Sequence, residues 1–296
     1  MKKLFAILLI FISLSSFANN RKGLLVIAHG SPSQQWNQPV LDLENSVKES
    51  LKAKHIDDFA EVKVALMEFT EPSISTVIKN MEKEGINKIY VLPLFIAPSG
   101  HSVYDVPTIL GVYYNKKMAE SLKKEGTEIV ETKAGITIGP SLNYGDVIKN
   151  IILDNVNELS KDPKNEAIVI LAHGDDNFMP FWEELCNETG NYILSKTGIE
   201  YYDKAFVEVG QSFAINGVST ILKAAQKKDR VIVVGMYLSS GVKNMLETSG
   251  IVIMGKMEDS KAMLEGKDIV YSDKGLLPCP KVTEWIVDRA VEWLNR

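Results

Sequence analysis

The feature that most constrains this chain is that it says the same thing twice. GLLVIA (Gly23–Ala28) is an apolar run that ends in His29-Gly30-Ser31-Pro32, and AIVILA (Ala167–Ala172) is another that ends in His173-Gly174-Asp175. Each is followed by a stretch with helical spacing. Then comes a second apolar run, EVKVALMEF (Glu61–Phe69) in one copy and YDKAFVEV (Tyr202–Val209) in the other, which sets Glu208 opposite Glu68. A helix follows in each, and then a third run, KIYVLPLFI against RVIVVGMYL. Continuous apolar runs of this length, alternating with amphipathic helices, are the signature of parallel strands covered on both faces. The expected fold is therefore α/β: two flavodoxin-like lobes with parallel sheets, related by a pseudo-two-fold internal repeat. The polar segment Asp162-Pro163-Lys164-Asn165 is the joint, giving lobes 19–161 and 162–296.

The remaining elements follow the same order. Trp36–Lys54 reads as a helix with Val40, Leu43, Val47 and Leu51 on one face, and Pro72 opens the next helix, ended by Gly85. Pro107–Lys124 reads as a third helix and 128–138 as the region of a fourth strand. The C-terminal copy closes with a strand at Lys267–Ser272 and a helix at Lys281–Leu294.

Residues 1–18 stand apart from this pattern. Lys2 and Lys3 precede an apolar stretch, Leu4–Leu14, and Ser16-Phe17-Ala18 is a small-x-small cleavage site. This is the pattern of a secretory signal peptide, too short for a bilayer span of about 20 residues. It predicts an exported, periplasmic protein with no membrane span after cleavage. The segment carries two lysines and no acid, so its removal would take the formal charge from −5 to −7. An acidic chain of this kind is not a nucleic-acid binder, and an anionic ligand would need a local basic pocket. Cys186 and Cys279 have no metal-binding spacing; in an oxidising compartment they could pair or stay free.

Parallel sheets bind ligands beyond the carboxyl ends of their strands. In the first copy those ends carry His29, Glu68, His101 and Asp105. Two imidazoles and a carboxylate suit a borderline divalent ion such as Co²⁺, Fe²⁺, Ni²⁺ or Zn²⁺. Asp105, just before Pro107, reads as a helix N-cap rather than a ligand, and Ser31 as a cap for the segment after it. His173 reads as a relic of the repeat, with a second metal site through Asp175 and Asp176 as the lesser alternative. The sequence has no GxxxxGK[ST] phosphate loop, no GxSxG elbow and no HExxH, so no nucleotide is expected.

AHGS after the first strand, MEFTEPSI after the second and PLFIAPSGH-x₃-DVP after the third resemble the sirohydrochlorin cobaltochelatase/ferrochelatase family of class II chelatases. The resemblance covers nearly all of the chain after residue 18, as two fused copies. It implies ATP-independent insertion of Co²⁺ or Fe²⁺, or of Ni²⁺, into sirohydrochlorin or a related tetrapyrrole, the chemistry that serves cobalamin and siroheme biosynthesis. His29 and His101 would match the family's histidine pair and Glu68 its acidic partner, as both catalytic and metal-binding residues. Ser31, Gly100 and Ser102 beside them would contact the tetrapyrrole. Ser102 stands where many members have a second histidine. In the second copy Val242 stands where His101 would be matched, so that lobe is expected to be inactive. The competing reading is a periplasmic carrier of a metal, haem or corrinoid that catalyses nothing. A homo-oligomer is left open.

Overall fold

The computed structural model describes residues 20–207, 212–248, 250–253 and 256–296. Residues 1–18, with the expected signal peptide, lie outside the described residues, as does Glu208. The chain begins with β1 (Lys22–Ala28), α1 (Gln34–Leu41), α2 (Leu43–Ala53), β2 (Phe59–Leu66), α3 (Ile74–Lys83) and β3 (Lys88–Pro93). A π-helical turn at His101–Asp105 leads into α4 (Val106–Ile109), followed by α5 (Lys116–Lys124), β4 (Gly135–Ile138) and α6 (Val147–Leu159). The second series runs β5 (Glu166–Ala172), α7 (Met179–Thr197), β6 (Tyr201–Phe206), α8 (Val218–Ala225), β7 (Arg230–Met236), α9 (Lys243–Thr248), β8 (Gly250–Ile253), β9 (Lys256–Asp259), α10 (Ser260–Met263), β10 (Asp268–Tyr271) and α11 (Pro280–Leu294).

Two four-stranded sheets result, ordered β2-β1-β3-β4 and β6-β5-β7-β10, with every neighbouring pair parallel. The orders are the same, copy for copy, and the matched runs are the central strands β1 and β5. Their side chains are fully buried because helices cover both faces; Leu24 to Ala28 and Ala167 to Ala172 have no exposure. In each sheet the chain leaves the central strand in one direction and returns on its other side. The edge between β1 and β3 is thus a topological switch point, where the loops diverge and leave a crevice.

Several elements are shorter than the periodicity suggests. The expected helix over 107–124 is broken after α4. Gly111 adopts φ +70°, a left-handed conformation that ends the turn, and a β-carbon there would lie 3.1 Å from the Val130 carbonyl. The chain restarts at Asn115, whose side chain caps α5. The antiparallel pair β8–β9, between α9 and α10, has no counterpart in the first series and no signal in the sequence reading.

The division at residue 161 separates the strands of the two sheets but not the helices. α6 packs on α7 and on β7 of the second sheet, while α11 crosses back to α2 and β3 of the first. Trp293 stacks on Tyr90 of β3 with centroids 5.1 Å apart and planes 6° from parallel. This exchange joins the inner faces of both sheets into one continuous core, in which Leu24, Val26 and Leu92 belong with Ile168, Ile170 and Ile232. Each outer face keeps a core of its own. The two thiols are free: Cys186 is buried and its thiol is pushed up to about 12 by desolvation, and Cys279 is partly exposed ahead of α11. No helix among the described residues is long and apolar enough to cross a membrane.

Candidate metal centre

The end of β1 delivers His29 to the switch point. Pairing continues past the regular strands: Met67 N–H donates to the Ala28 carbonyl and Glu68 N–H to the His29 carbonyl, both at 2.9 Å. This ladder carries Glu68 to the level of His29 at the sheet edge. Gly30 makes the close approach, with φ +90° and space so tight that a β-carbon would sit 2.5 Å from the Glu68 carbonyl oxygen. Beyond Glu68 the chain reverses in a γ-turn: Thr70 N–H donates to the Glu68 carbonyl at 2.9 Å across Phe69, which has φ +71°. Such a turn is strained for a bulky residue. Phe69 is 62% exposed, and its ring lies 5.8 Å from that of His29.

His101 opens the π-helical turn after β3. Its ring meets His29 edge-on, with centroids 4.7 Å apart and planes at 70°. One ligand atom each from His29, Glu68 and His101 lie within 4.8 Å of one another, and His29 Nε2 is 3.9 Å from Glu68 Oε2. No other group of three metal-capable side chains occurs among the described residues. Ligands on one tetrahedral ion with bonds of about 2.1 Å stand roughly 3.4 Å apart, so the three need only draw together slightly to share an ion. Three protein ligands also leave an open coordination position.

The backbone and a neighbouring carboxylate orient the two imidazoles. His29 Nδ1–H donates to the Gly30 carbonyl at 2.8 Å, and His101 Nδ1–H donates to Asp105 Oδ2 at 2.7 Å. Both rings therefore present an Nε2 lone pair, and the carboxylate–histidine pair is the arrangement that fixes a metal-binding tautomer. The Asp105 hydrogen bond raises the His101 pKa against the opposing effect of partial burial, with added attraction from Asp105, Glu68 and Asp175. Asp105 caps no helix: no backbone N–H bonds its side chain at the start of α4. The N-cap expectation gives way to an orienting role, and the i,i+4 spacing to His101 was its signal in the sequence.

The three residues expected to meet the tetrapyrrole fare differently. Ser31 is partly exposed on the cavity wall, where its Oγ accepts from Ser33 N–H; the cap of α1 is Ser33 rather than Ser31. Ser102 is buried, and its hydroxyl accepts from Ser99 N–H at 2.9 Å, which closes its own loop. Gly100 N–H is taken by Asp175 Oδ2 at 3.0 Å.

That last contact crosses between the lobes, and it is not alone. Trp182 Nε1–H donates to the Pro98 carbonyl at 3.1 Å. Asp175 and Trp182 thus hold the loop that presents His101. Nothing in the sequence pointed to either role, because neither bond joins residues of one copy. The cavity beside the triad, about 410 Å³, is walled by His29, Phe69, Phe95 and His101 from one lobe and by His173 and Trp182 from the other.

In the second copy His173 repeats the local geometry of His29, its Nδ1 lying 2.9 Å from the Gly174 carbonyl. Glu208 lies outside the described residues. Val242 has no exposure and fills the space above Gly235, so it faces the core rather than the cleft. Asp175 is occupied by Gly100 and by Asn177 N–H, and a second centre with His173 and Asp176 is not among the described clusters.

Comparison with known proteins shows the family and the fold. The CbiX family model matches residues 23–159. A sirohydrochlorin cobaltochelatase of Saccharolobus solfataricus is 30% identical over 136 residues, 46% of this chain and 94% of that protein. One of Methanococcus maripaludis is 38% identical over 92 residues, 31% of this chain, and the match spans 60% of that protein's length. Among solved structures, SirB from Bacillus subtilis with Fe³⁺ superposes with a TM-score of 0.64 over 92% of this chain and 95% of that one, at 16% identity, a likeness of fold.

Proposed function

The chain belongs to the CbiX family, and we propose on that premise that it inserts a divalent metal, Co²⁺ or Fe²⁺, into sirohydrochlorin or a related tetrapyrrole without a nucleotide. The observation that carries this reading is the His29–Glu68–His101 triad, whose two histidines line a cavity walled by both lobes. The ion is a substrate, so it must be held and then released. Two neutral imidazoles and one carboxylate bind a borderline ion reversibly and leave a position for the ring nitrogens. Binding energy must supply the distortion of the macrocycle, because the sequence has no nucleotide-binding loop.

Each residue then has a task. His29 and His101 hold the ion through Nε2, with their Nδ1–H groups committed to Gly30 and Asp105. Glu68 compensates its charge and becomes free to accept a proton as the ion leaves. Asp105 positions His101, and Phe69 offers an apolar face beside His29 for the flat ring. Residues 1–18 support export to the periplasm as part of this proposal; N-terminal sequencing of protein from a cell fractionation tests it.

The deciding experiment is anaerobic absorbance spectroscopy of purified protein with sirohydrochlorin and Co²⁺ or Fe²⁺, without ATP. The expected result is conversion of the free-base spectrum to that of the metal complex. Glu68→Gln should retain tetrapyrrole binding and lose turnover. Wild-type protein that binds the ring but inserts no Co²⁺, Fe²⁺ or Ni²⁺ between about pH 6 and 9, the range of imidazole titration, would be a carrier instead.

A further inference from the structure

His173 has no place in the triad, yet it stands in the wall of the same cavity, on the side contributed by the second lobe. Its proton sits on Nδ1, bonded to the Gly174 carbonyl at 2.9 Å, so Nε2 carries a lone pair. Among the described residues no protein group bonds that Nε2. The ring is exposed to the cleft. Among the described residues it also lacks the company that would make it a metal ligand: Asp175 is held by Gly100 and Asn177, and Val242 is buried in the core. A solitary imidazole with one free lone pair holds a divalent ion poorly. It is, however, the side chain best suited to take up a proton and release it near neutral pH.

We propose that His173 is a further catalytic residue, the acceptor of a pyrrole proton displaced from the ring on the side away from the entering ion. This rests on the chelatase reading above. A planar macrocycle has two faces, and the triad offers its ion to one of them. A departing proton on that same face would stand within a few ångströms of a double positive charge, which repels it. Departure toward the second lobe's side of the cavity avoids that repulsion, and His173 is that lobe's imidazole in the lining. In the step itself a pyrrole N–H bond breaks, its electron pair becomes a donor to the metal, and the proton forms a bond to His173 Nε2. The imidazolium then gives the proton to solvent through its exposed edge. The second pyrrole proton passes to the Glu68 carboxylate as the ion leaves it. One double charge enters the ring and two protons leave, so charge balances.

The test compares His173→Ala and His173→Gln with the wild type in three measurements: Co²⁺ affinity by calorimetry, sirohydrochlorin affinity by fluorescence quenching, and single-turnover insertion. We expect both affinities within about twofold of wild type and an insertion rate lower by about 10²–10⁴-fold, the usual contribution of a positioned proton acceptor. Added imidazole should restore part of the rate in His173→Ala and leave the wild type unchanged. A variant that inserts metal within about threefold of the wild-type rate overturns the proposal, as does a rate loss matched by an equal loss of ring affinity. Wild-type protein that inserts no metal overturns the chelatase reading, and this proposal with it.

Discussion

The loops around His29 and His173 begin as copies. Each histidine ends a central strand, each bonds the carbonyl of the glycine after it, and each glycine has a positive φ. They part at the neighbouring loops. In the first lobe the third strand leads into a π-helical turn that sets His101 against His29, with Asp105 behind it. In the second it leads to Val242, which lies in the core. Among the described residues, three metal-capable side chains therefore gather only where His101 and Glu68 join this shared backbone frame. The second loop and the helix after it have been put to other use, since Asp175 and, on α7, Trp182 hold the residues that present His101.

Removing ligands breaks the comparison most sharply. His29→Ala or His101→Ala should lower Co²⁺ affinity by about 100-fold or more, since each deletes one of three ligands, while His173→Ala should leave it within about twofold. Titration calorimetry on the three variants decides it, and equal losses would mean that both lobes bind metal.

Asp105→Asn removes the orienting carboxylate but no ligand. Losses at such positions run about 10–100-fold in metal affinity. The same variant carries the pH argument. The His101 pKa is raised above its ordinary 6.5 mainly by the Asp105 bond, so the metal must displace a proton that is held more tightly than usual. Metal binding should strengthen as pH rises through that raised value. The metal-free protein should behave oppositely. Stabilisation by the protonated pair is full below the unfolded imidazole pKa and is lost as pH rises through the folded one. His101 is partly exposed, so this second effect is small. In Asp105→Asn both profiles should move toward ordinary imidazole behaviour, as read by affinity and thermal unfolding between about pH 5 and 9.

Restoring the missing histidine sharpens the contrast. Val242→His should create no second metal site, because the side chain at 242 faces Gly235 and the core. Instead it should destabilise the protein by about 1–3 kcal/mol through overpacking, measured by denaturant unfolding. A second equivalent of bound Co²⁺ would show that the loop can turn outward. The smallest effect is expected from Asp175→Ala. It frees one partly buried N–H at Gly100 and should cost about 1 kcal/mol of stability, with a few-fold loss of metal affinity as the His101 loop loosens.

Much of the fold was legible because buried parallel strands leave an unmistakable mark. Runs such as GLLVIA and AIVILA are apolar on every residue, and their repeated order placed both sheets correctly. Helix breaks were less legible: Gly111 splits the span over 107–124 through a single left-handed turn that helical periodicity does not register. At the site, His29, Glu68 and His101 could be named because each follows a strand run, and strand ends in a parallel sheet converge on one edge. Adjacency to His101 says nothing of which way the Ser102 hydroxyl points, and in the structure it accepts from the Ser99 N–H. The role of Asp105 was half visible in its i,i+4 spacing, hidden by an equally good capping signal next to Pro107.

By itself the sequence determined what depends on neighbours along the chain: strands, repeat, and the residues at strand ends. Tertiary structure alone decided what depends on neighbours in space. It sent α6 and α11 to each other's sheets and fused the two inner cores. It turned Val242 inward, bound Asp175 to Gly100 and brought His173 into the cavity of the first lobe's triad. The physical reason is one of range. Periodicity and turn chemistry act over a few residues and are written locally. Packing and hydrogen bonding between lobes are satisfied by groups far apart in the chain, and no local pattern records which of them will meet.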